Sequence, residues 1–217
     1  MAVRGRTEEL VERITAAGLI AVIRADSADK AIRVSRALHA GGVEVLEIAM
    51  TTPGGVDAVR MVADELGDTA IIGAGTVLSS RTAHAVVEAG AEFVFAPNTD
   101  EQVIETVKSL DRAVVPGALT PTEVARAMNA GADLIKLFPA NVFGPGYIKD
   151  LKGPYPTVRI TPTGGVTADN MNQWFAAGAE AVGVGTAMIR KDLVREQRWD
   201  ELTGVAEQYV EAVRRAR

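Results

Sequence analysis

Lys136 stands inside an apolar run, Asp133-Leu134-Ile135-Lys136-Leu137-Phe138-Pro139. An ammonium in such a setting is costly unless it is paired or gives up its proton. A lysine with the ordinary pKa of about 10.4 holds only roughly 0.04% free amine at pH 7. Burial or a nearby cation raises that share, and the free amine attacks carbonyl carbon to form a Schiff base. Alternation along a strand puts Leu134, Lys136 and Phe138 on one face and Ile135 and Leu137 on the other. The plainer alternative is a lysine at a strand end that snorkels to solvent.

A carboxylate occupies a similar setting in Val45-Leu46-Glu47-Ile48-Ala49. Carbinolamine dehydration, enamine formation and carbon–carbon cleavage each move a proton, which is work for such a group. A structural ion pair of Glu47 with Lys136 or Arg24 is the other reading; it is compatible with the first, because pairing would tune both pKa values. Arg24 ends Ala21-Val22-Ile23-Arg24-Ala25. Its planar fork suits a carboxylate or a phosphate, and a solvated loop cation is its plain alternative.

These residues need elements to hold them, and the chain repeats one unit. A helix-like stretch ends in Ala-Gly, a small residue follows, and a short apolar strand begins. The unit occurs at Ala40-Gly41-Gly42, Ala89-Gly90-Ala91, Ala130-Gly131-Ala132 and Ala177-Gly178-Ala179. Glycine just past a helix end supports a left-handed cap, and the strand then starts at once. Strands are expected at 43–49, 92–96, 133–138 and 180–184 after these units, and at 19–23, 69–74, 112–115 and 158–161 between them. Continuous apolar character suits a parallel sheet buried on both faces. Amphipathic helices are expected at 28–39, 56–65, 122–129 and 168–176, with 7–17 before the first strand and 199–217 after the last. Eight strands alternating with helices predict one α/β domain over residues 1–217, a (β/α)8 TIM barrel with an extra N-terminal helix. An open doubly wound sheet is the runner-up, but Gly73-Ala74-Gly75-Thr76 lacks the spacing of a dinucleotide turn.

Active sites of such barrels sit at the C-terminal strand ends. Those ends hold Arg24, Glu47, Thr76, Pro97, Pro116, Lys136, Thr163 and Gly185-Thr186. Thr163-Gly164-Gly165-Val166 follows the seventh strand and is expected to open a helix; Gly183-Val184-Gly185-Thr186 follows the eighth. Backbone N–H groups there are a common phosphate cradle.

Composition narrows the classes. The net charge of -5 argues against nucleic acid or an anionic membrane as main partner. Without cysteine there is no disulfide, thiolate nucleophile or Cys-ligated metal. Only His39 and His84 remain for a His-based metal site or triad, and both lie in helix-like segments (35–40 and 82–89) as surface or packing residues. Met1 to Arg6 is charged with no apolar stretch after it, unlike a secretory leader. No apolar run approaches the ~20 residues of a membrane span. The expectation is a cytoplasmic protein with no metal and no cofactor.

The ordered set of motifs resembles the 2-keto-3-deoxy-6-phosphogluconate (KDPG) and 4-hydroxy-2-oxoglutarate (KHG) aldolases. It runs from Ile20-Ala21-Val22-Ile23-Arg24 through Val45-Leu46-Glu47-Ile48, Gly73-Ala74-Gly75-Thr76-Val77, Phe95-Ala96-Pro97, Pro116-Gly117, Ile135-Lys136-Leu137-Phe138-Pro139-Ala140 and Pro162-Thr163-Gly164-Gly165-Val166 to Gly185-Thr186. The resemblance implies a class I aldolase without cofactor, usually a homotrimer, acting on a phosphorylated keto acid. It implies an imine between Lys136 and pyruvate, Glu47 as general acid/base, and Arg24 and Thr76 around the pyruvate end. Pro97 and Phe138 would line the pocket, and Gly164, Gly165 and Thr186 would take the distal phosphate. One departure stands out: better-known members carry an arginine shortly after the glutamate, where this chain has Thr51. Arg24, Thr76 and the hydroxyls of Thr51 and Thr52 are then expected to share the carboxylate. Two rivals remain at this point, a non-aldolase phosphosugar barrel enzyme and a catalytically silent trimeric barrel scaffold.

Overall fold

The strands form where β-branched and aliphatic residues run without interruption. The computed structural model describes residues 5–217; Met1-Ala2-Val3-Arg4, part of the charged stretch compared with a secretory leader, lies outside them. Nine strands occur among the described residues: β1 (Leu19–Ile23), β2 (Val45–Ala49), β3 (Ile71–Gly75), β4 (Phe93–Phe95), β5 (Ala113–Val115), β6 (Gly117–Ala118), β7 (Ile135–Leu137), β8 (Ile160–Pro162) and β9 (Val182–Val184). The helices are α1 (Arg6–Ala17), α2 (Ala28–Ala40), α3 (Gly55–Leu66), α4 (Ser80–Glu88), α5 (Glu101–Ser109), α6 (Pro121–Asn129), α7 (Gly146–Lys152), α8 (Met171–Ala176), α9 (Lys191–Arg195) and α10 (Trp199–Ala216).

Helix starts follow local chemistry. The Ser27 and Ser79 hydroxyls accept from the N–H groups of Lys30 and Thr82. Thr120 and Glu123 form a capping box with Pro121 in the first turn. The repeated Ala-Gly unit works as expected at Gly90, Gly131 and Gly178, with φ between 92° and 105°; in the first unit Gly41 keeps φ of -82° and the next residue, Gly42, takes the positive φ, 89°. A side chain there would be strained, and the reversal delivers the chain straight into a strand.

Six parallel strands form a curled half-barrel in the order β5-β4-β3-β2-β1-β9, and β6-β7-β8 form a second parallel sheet. Backbone hydrogen bonds link the two at both flanks. Asp133 N–H donates to Val114 O at 3.0 Å and Lys136 N–H to Pro116 O at 2.9 Å, while Glu180 N–H donates to Ile160 O at 2.8 Å. Thr163 and Gly183 add a parallel bridge.

Side-chain alternation sorts two cores. Leu46, Ile48, Ile72 and Ala74 face outward and pack with the helices. Ile20, Val45, Ile71, Phe93, Phe95 and Val115 face the concave side, where Leu10, Val11 and Ile14 of α1 join them at the N-terminal strand ends. His39 serves this scaffold: its ring nitrogens meet Val43 O at 3.2 Å and the Thr69 hydroxyl at 3.0 Å.

One local expectation is corrected. The helix forecast at 168–176 begins only at Met171, so Gly164 and Gly165 do not open it directly. The Asn170 side chain accepts from Thr167 N–H and donates to Gly165 O, at 2.9 and 2.8 Å, holding a turn in place of the first helical residues. Among the described residues no helix is long and apolar enough to cross a membrane.

Candidate active site

The concave face changes character towards the C-terminal strand ends. Along β2, Val45 belongs to the inner apolar cluster, and the next inward residue is Glu47, which is 0% exposed. In register beside it stand Val22 of β1 and Gly73 of β3. Glycine is required at two inner positions of β3. A Cβ on Gly73 would meet the Phe93 ring, and a Cβ on Gly75 would meet Glu47 Oε1. The missing side chains of β3 thus make room for the carboxyl of β2.

Among the described residues neither Glu47 oxygen has a hydrogen-bond partner. Burial holds the carboxyl above the usual carboxylate range, and the attraction of Lys136 and Arg24 offsets this only in part. A buried carboxyl with free lone pairs and a raised pKa is suited to accepting and returning a proton.

Lys136 is 5% exposed on the inward face of β7. Its Nζ lies 5.3 Å from the centre of the Phe95 ring and 5.1 Å from that of Phe138. The two ring faces hold the end of a flexible chain that forms no close ion pair among the described residues. Its ladder partners are Gly117 and Thr161. The hydroxyls of Thr161 and Thr163 are buried without partners, like the Glu47 oxygens. Four orphaned polar atoms on one concave face are the opposite of an ordinary core.

Thr76 follows β3 with φ of 58°, a left-handed conformation that is strained for a β-branched residue. It lines a groove of about 510 Å³ with Met50, Thr52 and Leu78. Arg24, Gly185 and Thr186 line a separate cavity of about 510 Å³ at the β1–β9 edge. Lys136 and Glu47 line neither cavity and are buried.

Most of the residues singled out from sequence are thus gathered at one end of the strands. Pro97 and Phe138 are half-buried there, and Gly164 and Gly165 take φ of 102° and 76°. Thr51 is exposed, whereas its neighbour Thr52 is buried and accepts the Ala25 N–H at 3.2 Å, beside Arg24. Phe95 and Thr161 were not singled out as site residues. Both sit in apolar strands where their types are unremarkable; only inward parity, counted from Lys136 and Glu47, points to them.

Comparison with known proteins agrees with this geometry. The family described as "KDPG and KHG aldolase" matches residues 10–205. A 2-dehydro-3-deoxy-6-phosphogalactonate aldolase of Escherichia coli is 34% identical over 90% of this chain and 96% of its own. A KHG/KDPG aldolase of the same organism is 32% identical over 93% and 94%. Among solved structures, KDPG aldolase from Legionella pneumophila, with pyruvate captured as a covalent carbinolamine, superposes with TM-score 0.84 at 28% identity, covering 91% of this chain and 96% of that one.

Proposed function

Because the chain belongs to the KDPG and KHG aldolase family, we propose that it cleaves 2-keto-3-deoxy-6-phosphogluconate reversibly to pyruvate and glyceraldehyde 3-phosphate through an imine on Lys136. The observation that carries the chemistry is the pair of buried inward groups, Lys136 between two aromatic rings and the unpartnered Glu47 carboxyl. 4-Hydroxy-2-oxoglutarate, giving pyruvate and glyoxylate, is the second substrate.

The Lys136 amine attacks the C2 ketone, and Glu47 supplies the proton that lets the carbinolamine lose water. The resulting iminium is an electron sink. Glu47 takes the proton of the C4 hydroxyl, the C3–C4 bond breaks, and its electron pair forms the enamine. The aldehyde leaves, C3 is reprotonated, and water hydrolyses the imine to pyruvate. Arg24, Thr76 and the loop holding Thr51 surround the carboxylate end, and Pro97 and Phe138 wall the pocket. Thr163 lies between the two ends. Gly164, Gly165, Gly185 and Thr186 bind the distal phosphate through backbone N–H groups.

The two hydrogen-bonded sheets support closure into a (β/α)8 barrel with α1 as a floor outside the repeat. A homotrimer working in the cytoplasm completes the proposal. Borohydride reduction in the presence of pyruvate, followed by peptide mass mapping, tests it: a pyruvate adduct is expected on Lys136. Its absence sinks the Schiff-base reading and leaves the silent scaffold. A panel with both C4 epimers of the phosphorylated substrate fixes the stereochemical preference.

A further inference from the structure

We propose that Lys191 sets selectivity for phosphorylated substrates by holding the distal dianion in the cavity at the β1–β9 edge; this rests on the aldolase reading above. The cavity, about 510 Å³, falls within the usual range of small-molecule sites, about 300–1,000 Å³. Its apolar surface includes Val22, Ile189 and Val194, and four cations line it: Arg24, Lys30, Lys191 and Arg195.

These cations are not equivalent. Lys30 is bound to Asp26 at 2.7 Å, and Arg195 to Glu196 at 2.7 Å. Arg24 is drawn on by the Glu47 carboxyl. Lys191 has no ion-pair partner among the described residues, and Thr186 shares its cavity.

Backbone N–H groups offer a phosphate hydrogen bonds but no net charge. A dianion taken from water onto an apolar floor needs a counter-charge as well. A lysine, a point charge on a flexible stem, meets that need without demanding one orientation. The spacing fits. Lys136 lies on β7, and β9 is two strands on, roughly 10 Å away. A six-carbon keto acid phosphate held at C2 by Lys136 spans that interval, whereas 4-hydroxy-2-oxoglutarate ends short of it.

The test compares kcat/KM for 2-keto-3-deoxy-6-phosphogluconate and 4-hydroxy-2-oxoglutarate in Lys191→Gln and Lys191→Met, the second keeping an apolar stem over the cavity floor. In both variants the phosphorylated substrate is expected to lose about 10- to 100-fold, chiefly through KM. The unphosphorylated one stays within about twofold, and Lys191→Arg recovers most of the loss. Pyruvate trapping on Lys136 is unchanged throughout. Equal losses on both substrates, or no loss on either, overturn the proposal while the wild type still traps pyruvate. A wild type that traps no pyruvate overturns the aldolase reading itself, and this proposal with it.

Discussion

The two ends of the concave face obey opposite rules. At the N-terminal strand ends, Leu10, Val11 and Ile14 of α1 close over Ile20, Val45 and Ile71 in one apolar cluster. Towards the C-terminal strand ends, Glu47 on β2, Thr161 on β8 and Thr163 just after it present buried polar atoms with no partner among the described residues. One end is built for stability and the other carries a cost in stability, which residues retained for chemistry commonly do. The division runs along single strands: Val45 and Glu47 are two residues apart on one face of β2.

Substitutions at the two ends should therefore separate turnover from folding. The largest effect on turnover is expected from Lys136→Ala, at least about 10⁴-fold in kcat with the adduct lost and the fold intact; substantial turnover in this variant would break the comparison at its centre. Glu47→Gln should lower kcat by about 10²–10⁴-fold while still accepting the pyruvate carboxylate, so KM moves little. Gly75→Ala touches no substrate, yet its Cβ displaces the Glu47 carboxyl. A drop of about 10- to 100-fold in kcat is expected, and wild-type rates would mean that the position of Glu47 is unimportant. Ile14→Ala, at the other end, should cost about 2–5 kcal/mol in urea unfolding and leave kcat per folded molecule unchanged.

Glu47 also gives the comparison a pH axis. Burial favours its protonated form, so above the ordinary glutamate value of about 4.3 the folded chain binds more protons than the unfolded one. The sign follows: stability falls as pH rises from there through the raised value of Glu47. Glu47→Gln removes this dependence, and its unfolding midpoint should gain on the wild type across that window. A difference that stays constant with pH would show that the carboxyl is not held protonated by burial.

Much of this was legible in the sequence because the signals were local. The Ala-Gly units announced where helices end, and charged residues in apolar strands announced Lys136 and Glu47. What was not legible depends on neighbours distant in sequence. Gly73 falls in the strand expected at 69–74 and Gly75 just past it, yet nothing local shows that their missing side chains admit Phe93 and Glu47. Thr161 looked like a β-former, and only the ladder with Lys136 shows where its hydroxyl lies. Thr51 and Thr52 are indistinguishable by type, and the fold alone decides that Thr52 turns inward. The helix expected straight after Gly165 is delayed by Asn170, whose side chain competes with the helical backbone.

The left-handed Thr76 bears on how the protein can be improved. Thr76→Gly relieves a backbone conformation that costs about 1 kcal/mol or more. A screen for heat resistance would find this exchange attractive and would at the same time free the loop that the proposed mechanism assigns to the pyruvate end. Directed evolution for robustness alone would then select against catalysis at this position, so selection should be scored on turnover and melting temperature together.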